Sequence, residues 1–600
     1  RTINIATGEV SESASWCVEN ISASSCVSPS SIVAETVDSS VVNFCVTPDA
    51  TEANCPSPGV LEGTECKVEI PVECSGTMPS KVGATSDTRT IYMANGDGEL
   101  TSFSWDNLSA DYADYFSGTG LSQWSVLTET QQEAAAGANL VNFLRGQTGY
   151  EERGSNSASN RLYRFREATL GDALESQPFY ISKPVFHYAD PGYSAFKASE
   201  ASRAGTVYMG TNDGMLHAFA AENGAERWAF VPTAVIPNLW KLADKNYATG
   251  HANFVNGSPT ITDICTAHCT CDEACVAGGG DAPVWKTILV GGLNGGGRSF
   301  YALDITDPAS PSLLWQISSA TTGFSNLGFS YGRPVITKKE NGTWVALLTS
   351  GYNNTSPGNG KGYLYVVNAA TGEKISEIDT TVGNSTTPSG LAKISAWNDY
   401  GGINNTAGYV YGGDLLGNLW RFNINDETAF KLTALKDAEG NAQPVTTAPT
   451  LGLIKGHRIV FVGTGKYLEV SDLTDTSVQT VYAIKDNNVT ETLENIRDDM
   501  VAQTMTEDGA TRTGSNNSVD FSTGRGWYID LGSIPEDDED QEFVGERVNI
   551  DMQLVQGMLI FGTTVPSNTV CSPGGYGYLN FVNYETGGYL SETHIVSTRS

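Results

Sequence analysis

Apolar and polar residues alternate in short runs along most of this 600-residue chain, and glycine-containing turns separate the runs. The clearest example is residues 207–219 (VYMGTNDGMLHAF), where Asn212-Asp213-Gly214 lies between two alternating segments. This arrangement predicts a β-hairpin, because the turn requires a positive φ that glycine or asparagine adopts at little cost. We therefore interpret Asn212-Asp213-Gly214 as a turn and not as a site.

The hairpin pattern at 207–219 has relatives along the whole chain. They lie at 91–105, 288–305, 344–367, 409–424, 459–484 and 558–582. Recurring β units with spacers of variable length are typical of radial or solenoidal repetition. The sequence therefore predicts an all-β array of seven units.

Helical segments and long connections interrupt this array. Residues 128–144 predict a helix that ends before Gly146, and residues 232–244 predict a second, short helical insertion. The connections 265–283, 353–361 and 486–524 are too long for a minimal four-stranded unit. Since long loops on a rigid β scaffold commonly carry binding residues, we expect function in these insertions.

Composition and charge narrow the class of protein. Aromatic residues make up 10% of the chain and there are 64 glycines, as in β-rich proteins with many turns. The net charge of −33 argues against nucleic acid as a partner, since the phosphates would be repelled. No apolar run reaches the roughly 18 residues of a transmembrane segment, and no signal peptide begins at Arg1, so we expect a mature or trimmed product. The acidic run 536–540 (EDDED) is interpreted as a solvated loop, with calcium capture as the alternative.

The cysteines fall into a group within residues 1–80, a cluster around His268, and Cys571 alone. Even numbers of cysteines in small polar segments indicate disulfides formed in an oxidising compartment. The candidates are Cys17, Cys26, Cys45, Cys55, Cys66, Cys74, Cys265, Cys269, Cys271 and Cys275. Their connectivity stays open, and zinc at the second cluster is the alternative, although its spacing lacks paired CxxC knuckles. We divide the chain into a Cys-rich β module, or the end of an upstream region, at 1–80 and the repeat array at 81–600.

Motifs for catalysis are sparse. The sequence contains no HExxH, GxSxG or CxxCH, and its six histidines are scattered. The glycine-rich segment 291–298 precedes a strand and not a helix, so it is interpreted as a turn and not as a phosphate loop. Residues 221–228 (AENGAERW) resemble the blade-packing phrase of quinoprotein dehydrogenase propellers, which only Trp315 and residues 370–373 repeat. We therefore expect a protein that is not an enzyme, with a quinoprotein-like propeller oxidoreductase as the alternative.

Several long phrases occur in order between about residues 88 and 590. They are HANFVNGSP at 251–259, ILVGGLNGGGRSFYALDITDP at 288–308, YVYGGDLLGNLWRFNI at 409–424, FVGTGKYLEVSDL at 461–473, GERVNIDMQLVQGMLIFGTTVP at 545–566 and CSPGGYGYL at 571–579. Together with 207–219, they resemble the C-terminal propeller of the type IV pilus tip and biogenesis proteins of the PilY/PilC group. The first 80 residues are not covered by this resemblance.

The resemblance implies an all-β fold, a seven-bladed modified β-propeller with loop and helix insertions, preceded by the small disulfide-rich module. It implies a protein secreted through the periplasm and located outside the cell at the pilus. The implied roles are pilus assembly and retraction and surface adhesion, with minor pilins at the pilus tip and a host or abiotic surface as partners. A von Willebrand A-like domain, frequent in the family, lies upstream of this chain or is absent. A general secreted interaction propeller is a further alternative.

The resemblance also suggests where calcium would bind. The family's loop D-x-D/N-x-D-x-x-x-D ends just before the strand at 409, and its positions fall here on Tyr400, Gly402, Asn404 and Gly408. Three of these four are not ligands, so calcium-gated retraction is not carried over. A shifted site formed by Asn398, Asp399 and Asn404 would be weak, because affinity rises with the number of charged ligands. We therefore expect either no cofactor or weakly bound calcium.

Overall fold

The computed structural model describes the backbone of four N-terminal strands and then residues 78–508, 510–532, 544–567, 575–590 and 595–599. The four strands are β1 (Ser31–Val37), β2 (Ser40–Thr47), β3 (Val60–Glu62) and β4 (Glu65–Glu69), paired in the order β1-β2-β4-β3. Cys45 lies on β2 and Cys66 on the neighbouring β4. The predicted disulfide residues Cys17, Cys26, Cys55 and Cys74, the lone Cys571 and the acidic run 536–540 lie outside the described residues. The division of the chain at residue 80 stays a prediction.

Six sheets follow the N-terminal strands. Sheet 1 contains β5 (Ile91–Ala94), β6 (Leu100–Ser102), β7 (Phe179–Ile181), β8 (Thr206–Thr211), β9 (Met215–Ala220) and β10 (Glu226–Val231). Sheet 2 contains β11 (Thr260–Ala267), β12 (Val284–Gly292), β13 (Ser299–Asp304) and β14 (Ser312–Ser318). Sheet 3 contains β15 (Val335–Lys338), β16 (Trp344–Thr349), β17 (Lys361–Asn368) and β18 (Lys374–Gly383).

The second half of the chain forms three more sheets. Sheet 4 contains β19 (Ile394–Trp397), β20 (Tyr409–Gly413), β21 (Asn418–Asn423) and β22 (Thr428–Ala434). Sheet 5 contains β23 (Thr450–Ile454), β24 (His457–Gly463), β25 (Thr480–Asp486), β26 (Met500–Gln503) and β29 (Gly526–Asp530). Sheet 6 contains β27 (Met505–Asp508), β28 (Thr511–Gly514), β30 (Gln553–Val555), β31 (Met558–Val565), β32 (Tyr576–Asn583) and β33 (Ile595–Arg599).

The described residues therefore differ from the prediction of seven units. The hairpin predicted at 91–105 and the one at 207–219 lie in the same sheet, with strand order β6-β5-β10-β9-β8-β7. The reason is that β5 pairs in parallel with β10, with Ala229 opposite Ile91, so the first hairpin extends an existing sheet. Strand alternation predicts a hairpin, but it does not predict which sheet the hairpin joins.

The predicted helices are present as shorter pieces. The helices are α1 (Ala110–Ala113), α2 (Glu129–Ala134), α3 (Ala138–Leu144), α4 (Tyr193–Ser199) and α5 (Glu273–Ala277), and Thr233–Ala243 forms a 3₁₀ run. The single helix predicted at 128–144 is broken into α2 and α3, because Gly137 has a φ of +61°. Gly146, with a φ of +113°, ends α3 as predicted, and the Gln147 N–H donates to the Asn142 carbonyl at 3.0 Å as in a Schellman motif.

The long connection at 486–524 is not a free loop. Its strand β26 pairs in parallel with β29 and extends sheet 5. Its hairpin β27–β28 pairs with the C-terminal strand β33 and extends sheet 6. The three strands within this predicted binding insertion therefore belong to sheets 5 and 6 and stabilise the fold.

Tryptophans join one sheet to the next. The indole N–H groups of Trp228, Trp315 and Trp527 donate to the carbonyls of Pro308, Ala369 and Tyr584 at 2.9, 2.9 and 3.1 Å. Each bond crosses to the following sheet of the chain. Gly372 lies against the Trp315 ring with a φ of +73°, and a Cβ there would come within 2.6 Å of the ring. The tryptophan-containing phrase at 221–228, which the sequence repeats only in part, therefore marks a contact that recurs between neighbouring sheets.

Each sheet has one edge strand on the inner side of the array, which we call its inner strand. Strands β7, β11, β15, β19, β23 and β30 each form one edge of their sheet. Along this series each strand contacts the next one. Because strands such as β9 and β16 are buried along their whole length, the sheets pack face to face around these inner edges.

Candidate functional site

A cavity of ≈ 600 Å³ lies where the inner strands begin, and we call it the axial mouth. All six sheets contribute to its lining, either through the sheet itself or through the segment leading into its inner strand. One contributor from each, in chain order, is Glu175, Asn294, Arg333, Lys393, Thr446 and Asp551. This volume is in the range of ligand-binding cavities.

Polar ties between sheets run across the lining of the axial mouth. The Arg333 guanidinium donates to Gln177 Oε1 at 2.5 Å, and Lys393 Nζ lies 2.8 Å from Asp551 Oδ1. Asn294 Nδ2 donates to Glu175 Oε2 at 2.6 Å. These bonds join sheets 3 and 1, 4 and 6, and 2 and 1. The lining is therefore held together by side chains that also present charge to the cavity.

Two tyrosines lie beside these polar ties. The rings of Tyr331 and Tyr352 pack with centroids 5.0 Å apart. Burial, with the nearby charge of Glu175, raises the pKa of Tyr331 to about 12. Burial likewise raises the pKa of Tyr352. Both phenols therefore stay neutral over the physiological range and offer hydroxyl groups rather than phenolates.

The rim of the axial mouth is apolar and exposed. Leu174, Leu468 and Ile550 line the cavity with 64%, 42% and 58% of their surface accessible. Val470, on the same loop as Leu468, is 83% exposed. Exposed apolar side chains grouped around a cavity are typical of surfaces that bind other molecules.

The loop that carries Leu468 is fixed from below by Arg547. The buried Arg547 guanidinium donates to the carbonyls of Lys466 and Asp472 at 2.8 and 2.9 Å, and to that of Asp475 at 2.5 Å. The Asp472 carboxylate accepts the N–H groups of Leu468 and Glu469 at 2.7 and 2.9 Å. Leu468 is therefore presented by a loop that is already ordered.

The axial mouth was not predicted from the sequence, although the sequence contains a weak signal for it. A proline stands one residue before four of the inner strands, namely Pro178, Pro259, Pro334 and Pro449. Proline is tolerated there because an inner strand is a sheet edge, and it holds the preceding residue in an extended conformation. Three of those preceding residues, Gln177, Ser258 and Arg333, line the mouth.

A second polar cluster surrounds His217 on β9. Its Nδ1 lies 2.9 Å from Glu226 Oε1, and its Nε2 lies 3.1 Å from Asp213 Oδ2. Arg89 donates to both oxygens of Glu226 at 2.8 Å. The Thr211 hydroxyl donates to Asp213 Oδ1 at 2.5 Å. The residues 212–214 form the predicted turn, but the Asp213 side chain also folds back onto the imidazole.

The charges of this cluster balance within the protein. Burial opposes a charged His217, yet the Asp213 charge and hydrogen bond outweigh it and raise the His217 pKa to about 9. Burial also opposes a charged Glu226, but the hydrogen bonds from Arg89 and His217 lower its pKa. Two cations therefore face two carboxylates, and His217 is fully buried. This geometry stabilises the sheet 1 hairpin, and of its four charged side chains only Asp213 is partly exposed, at 13%.

The predicted calcium residues Asn398, Asp399 and Asn404 lie in one loop between β19 and β20, and each is engaged by a local donor or acceptor. The Trp397 indole N–H donates to Asp399 Oδ1 at 2.8 Å, and the Thr406 hydroxyl donates to Asn404 Oδ1 at 2.7 Å. Asn398 Nδ2 donates to Asn405 Oδ1 at 2.7 Å. The three side chains thus satisfy groups of the loop itself.

Asn405, not Asn404, makes the buried side-chain contacts that hold this loop. Asn405 is buried, and its Nδ2 donates to the Ile336 carbonyl at 3.2 Å. The backbone N–H groups of His187 and Ala189 donate to the carbonyls of Gly402 and Ile403 at 2.8 and 3.0 Å. The loop therefore has protein contacts on two sides. With one carboxylate and two amides already in hydrogen bonds, it fits a tight calcium site poorly.

The cysteine cluster forms two disulfides. Cys265 bonds to Cys269, and Cys271 bonds to Cys275. This is the arrangement that the sequence favours over a zinc site. Within the part of the chain that the structure describes, no group of three or more His, Cys, Asp or Glu side chains is arranged to hold a metal ion. Among the same residues, no helix has the length and apolarity needed to cross a membrane.

Comparisons with known proteins agree on one family. The model of the PilY1 beta-propeller domain family matches residues 167–517. A type IV pilus biogenesis factor PilY1 homolog of Xylella fastidiosa is 34% identical over 477 residues, covering 76% of this chain and 36% of the relative. The type IV pilus biogenesis factor PilY1 of Pseudomonas aeruginosa (strain PAK) is 31% identical over 574 residues, covering 84% of this chain and 45% of the relative.

A solved structure is also similar. The crystal structure of the Pseudomonas aeruginosa PilY1 C-terminal domain matches with a TM-score of 0.55 and 25% identity, covering 70% of this chain and 93% of that domain. The chain spans 36% and 45% of the length of the two curated relatives. The similarity therefore covers one large part of these relatives and not their full length.

Proposed function

Because the chain belongs to the PilY1 beta-propeller family, we propose that it works as a non-enzymatic, pilus-associated binding protein in type IV pilus assembly and retraction. Its matched relatives are named as type IV pilus biogenesis factors. We place it outside the cell at the pilus tip, where it contacts minor pilins and adheres to a host or abiotic surface. The location, the partners and the adhesion are part of the proposal.

The axial mouth is the observation that supports binding most directly. All six sheets contribute to it, three of its apolar side chains are exposed, and polar ties join the sheets across its lining. The other polar centre, around His217, is buried and internally balanced, so it stabilises the fold. A rigid β scaffold with a wide open cavity suits recognition of another macromolecule.

Genetic complementation tests the proposal. A strain that lacks the gene is expected to show few surface pili, and restoring the full-length protein is expected to restore them. The chain is also expected to co-purify with minor pilins under native conditions. Normal piliation and retraction in the deletion strain would contradict the role in the pilus.

An absorption spectrum separates this proposal from the quinoprotein-like alternative. A quinone cofactor absorbs in the near-ultraviolet and visible range, where a protein of Trp, Tyr and Phe does not. We expect the purified chain to show protein absorption only. A bound quinone that reduces in the presence of an alcohol would favour the oxidoreductase.

Calcium at Asn398, Asp399 and Asn404 stays a prediction of weak binding. The hydrogen bonds described above occupy one side-chain oxygen of Asp399 and one of Asn404. Calcium therefore has no part in the proposed function of this chain.

A further inference from the structure

The axial mouth has an electrostatic character different from that of the whole chain. The chain carries a net charge of −33. The mouth is lined by two acidic residues, Glu175 and Asp551, and by two basic residues, Arg333 and Lys393. A strongly cationic partner would be attracted to the acidic surface in general, but nothing in the mouth would select it.

The rim offers apolar contacts at the same place. Leu174, Leu468 and Ile550 expose much of their surface beside lining residues whose charges balance. The Leu468 loop is ordered by Arg547 and Asp472, so little conformational entropy is lost when a partner binds it. The ordered apolar side chains have the composition of the core of a protein–protein interface, and the paired charges beside them have that of its polar rim.

From these features we infer that the axial mouth binds a weakly charged, apolar segment of a protein partner. An apolar side chain of that segment lies between Leu174, Leu468 and Ile550. Its backbone amides meet the hydroxyl and carboxamide groups of Tyr331, Gln177 and Asn294. The inference rests on the proposed function for the identity of the partner, which is a component of the type IV pilus.

A paired set of variants of the full chain tests the inference. The double variant Leu174→Ser with Ile550→Ser removes two rim contacts. The double variant Val126→Ser with Val284→Ser is the control, because these valines are 81% and 42% exposed and lie outside the mouth. All four residues are exposed, so both variants are expected to fold, as circular dichroism and thermal unfolding will check.

The probe is a set of purified, recombinantly expressed minor pilins, so that the measurement does not depend on pili made by a strain that lacks this chain. Binding of the immobilised chain is measured by biolayer interferometry. The rim variant is expected to lose about tenfold or more in affinity, since a few central apolar residues dominate such interfaces. The control variant is expected to bind like the original chain. Equal affinity of the rim variant would overturn the inference and leave the proposed function standing.

Two further outcomes complete the test. We expect the affinity to change by less than about threefold between low and high salt, because an apolar, weakly charged contact is little screened. A steep loss of affinity with salt would overturn the choice of an uncharged segment. Failure of the original chain to bind the minor pilins at all would overturn the proposed function together with the inference.

Discussion

The hairpin around His217 in sheet 1 and the 398–406 loop in sheet 4 contain similar residues, but burial gives them different roles. Both are turns rich in Asp, Asn and Gly. In the hairpin, Asp213 and Glu226 are paired with His217 and Arg89 away from water. In the loop, Asp399 and Asn404 are exposed and accept bonds from their own neighbours.

The difference shows that polar composition alone does not mark a ligand site. In the hairpin the carboxylates are neutralised by cations, and in the loop the Asp399 and Asn404 oxygens accept bonds from the Trp397 indole and the Thr406 hydroxyl. Neither region leaves a convergent set of free oxygens. The axial mouth, whose residues come from six separate sheets, is therefore the better candidate for binding.

The largest expected effect is in the buried hairpin, with Glu226→Ala. This change leaves Arg89 and His217 buried without their shared carboxylate. Losing one partner of a buried ion pair costs about 3–5 kcal/mol of the free energy of unfolding. Urea unfolding followed by tryptophan fluorescence measures the loss.

Glu222→Ala provides the matched control on the same hairpin. Glu222 contacts Arg227 at 3.3 Å, but its side chain is 56% exposed. An exposed pair contributes about 0–1 kcal/mol, so little change is expected. If the two variants lose the same stability, burial does not explain the difference between the pairs.

The pH dependence should separate the hairpin from the loop further. The folded pKa of His217, about 9, lies above its ordinary value of 6.5, because the Asp213 and Glu226 charges outweigh burial. The stability contributed by His217 is therefore present in full below about pH 6.5 and is lost as the pH rises through about 9. Thermal unfolding from about pH 6 to about pH 10 is expected to show a falling midpoint.

A His217→Gln variant is the control for this titration. It is expected to be less stable at neutral pH and to lose less stability toward alkaline pH than the original chain. The same alkaline loss in both proteins would assign it to other groups.

In the loop, Asn405→Ala is expected to have a smaller effect than Glu226→Ala. It removes the partner of the Ile336 carbonyl and of Asn398 Nδ2. Leaving buried polar groups without partners costs about 1–3 kcal/mol. Asn404→Ala, at the exposed neighbouring position, is expected to cost less than about 0.5 kcal/mol. Equal costs would mean that the loop does not depend on the buried side chain.

Much of the fold could be predicted from alternation and turns alone. The turn at 212–214, the end of α3 at Gly146 and the all-β class follow from local sequence. The parallel pairing of β5 with β10 could not, since it joins segments more than 130 residues apart through backbone bonds that any side chain permits. That pairing is why two predicted hairpins share one sheet.

The sites were harder to predict for a similar reason. Neighbouring asparagines at 404 and 405 are equivalent in the sequence, and only the packing against Ile336 makes Asn405 the buried one. Likewise, the pairs Arg333–Gln177 and Lys393–Asp551 join residues more than 150 positions apart. Long-range contacts of this kind leave no periodic pattern in the sequence.

Calcium is expected to have the smallest effect on stability of all these changes. A calcium titration tests whether the 398–406 loop is held by its own hydrogen bonds. Asn405 and the backbone bonds to His187 and Ala189 hold the loop, so its order does not require a metal. We expect a dissociation constant of about 1 mM or weaker, as for sites with few charged ligands. A chelator is expected to leave the thermal midpoint unchanged.

Calorimetric titration of the original chain and of Asp399→Ala decides the matter. Weak heats that are the same in both proteins would come from acidic residues elsewhere and agree with a loop held by its own hydrogen bonds. Micromolar binding abolished by Asp399→Ala would show that the bonds to Trp397 and Thr406 yield to the cation. The loop would then be a regulated site. The two regions would differ in what neutralises their carboxylates, which would be a metal ion in the loop and cationic side chains of the protein in the buried hairpin.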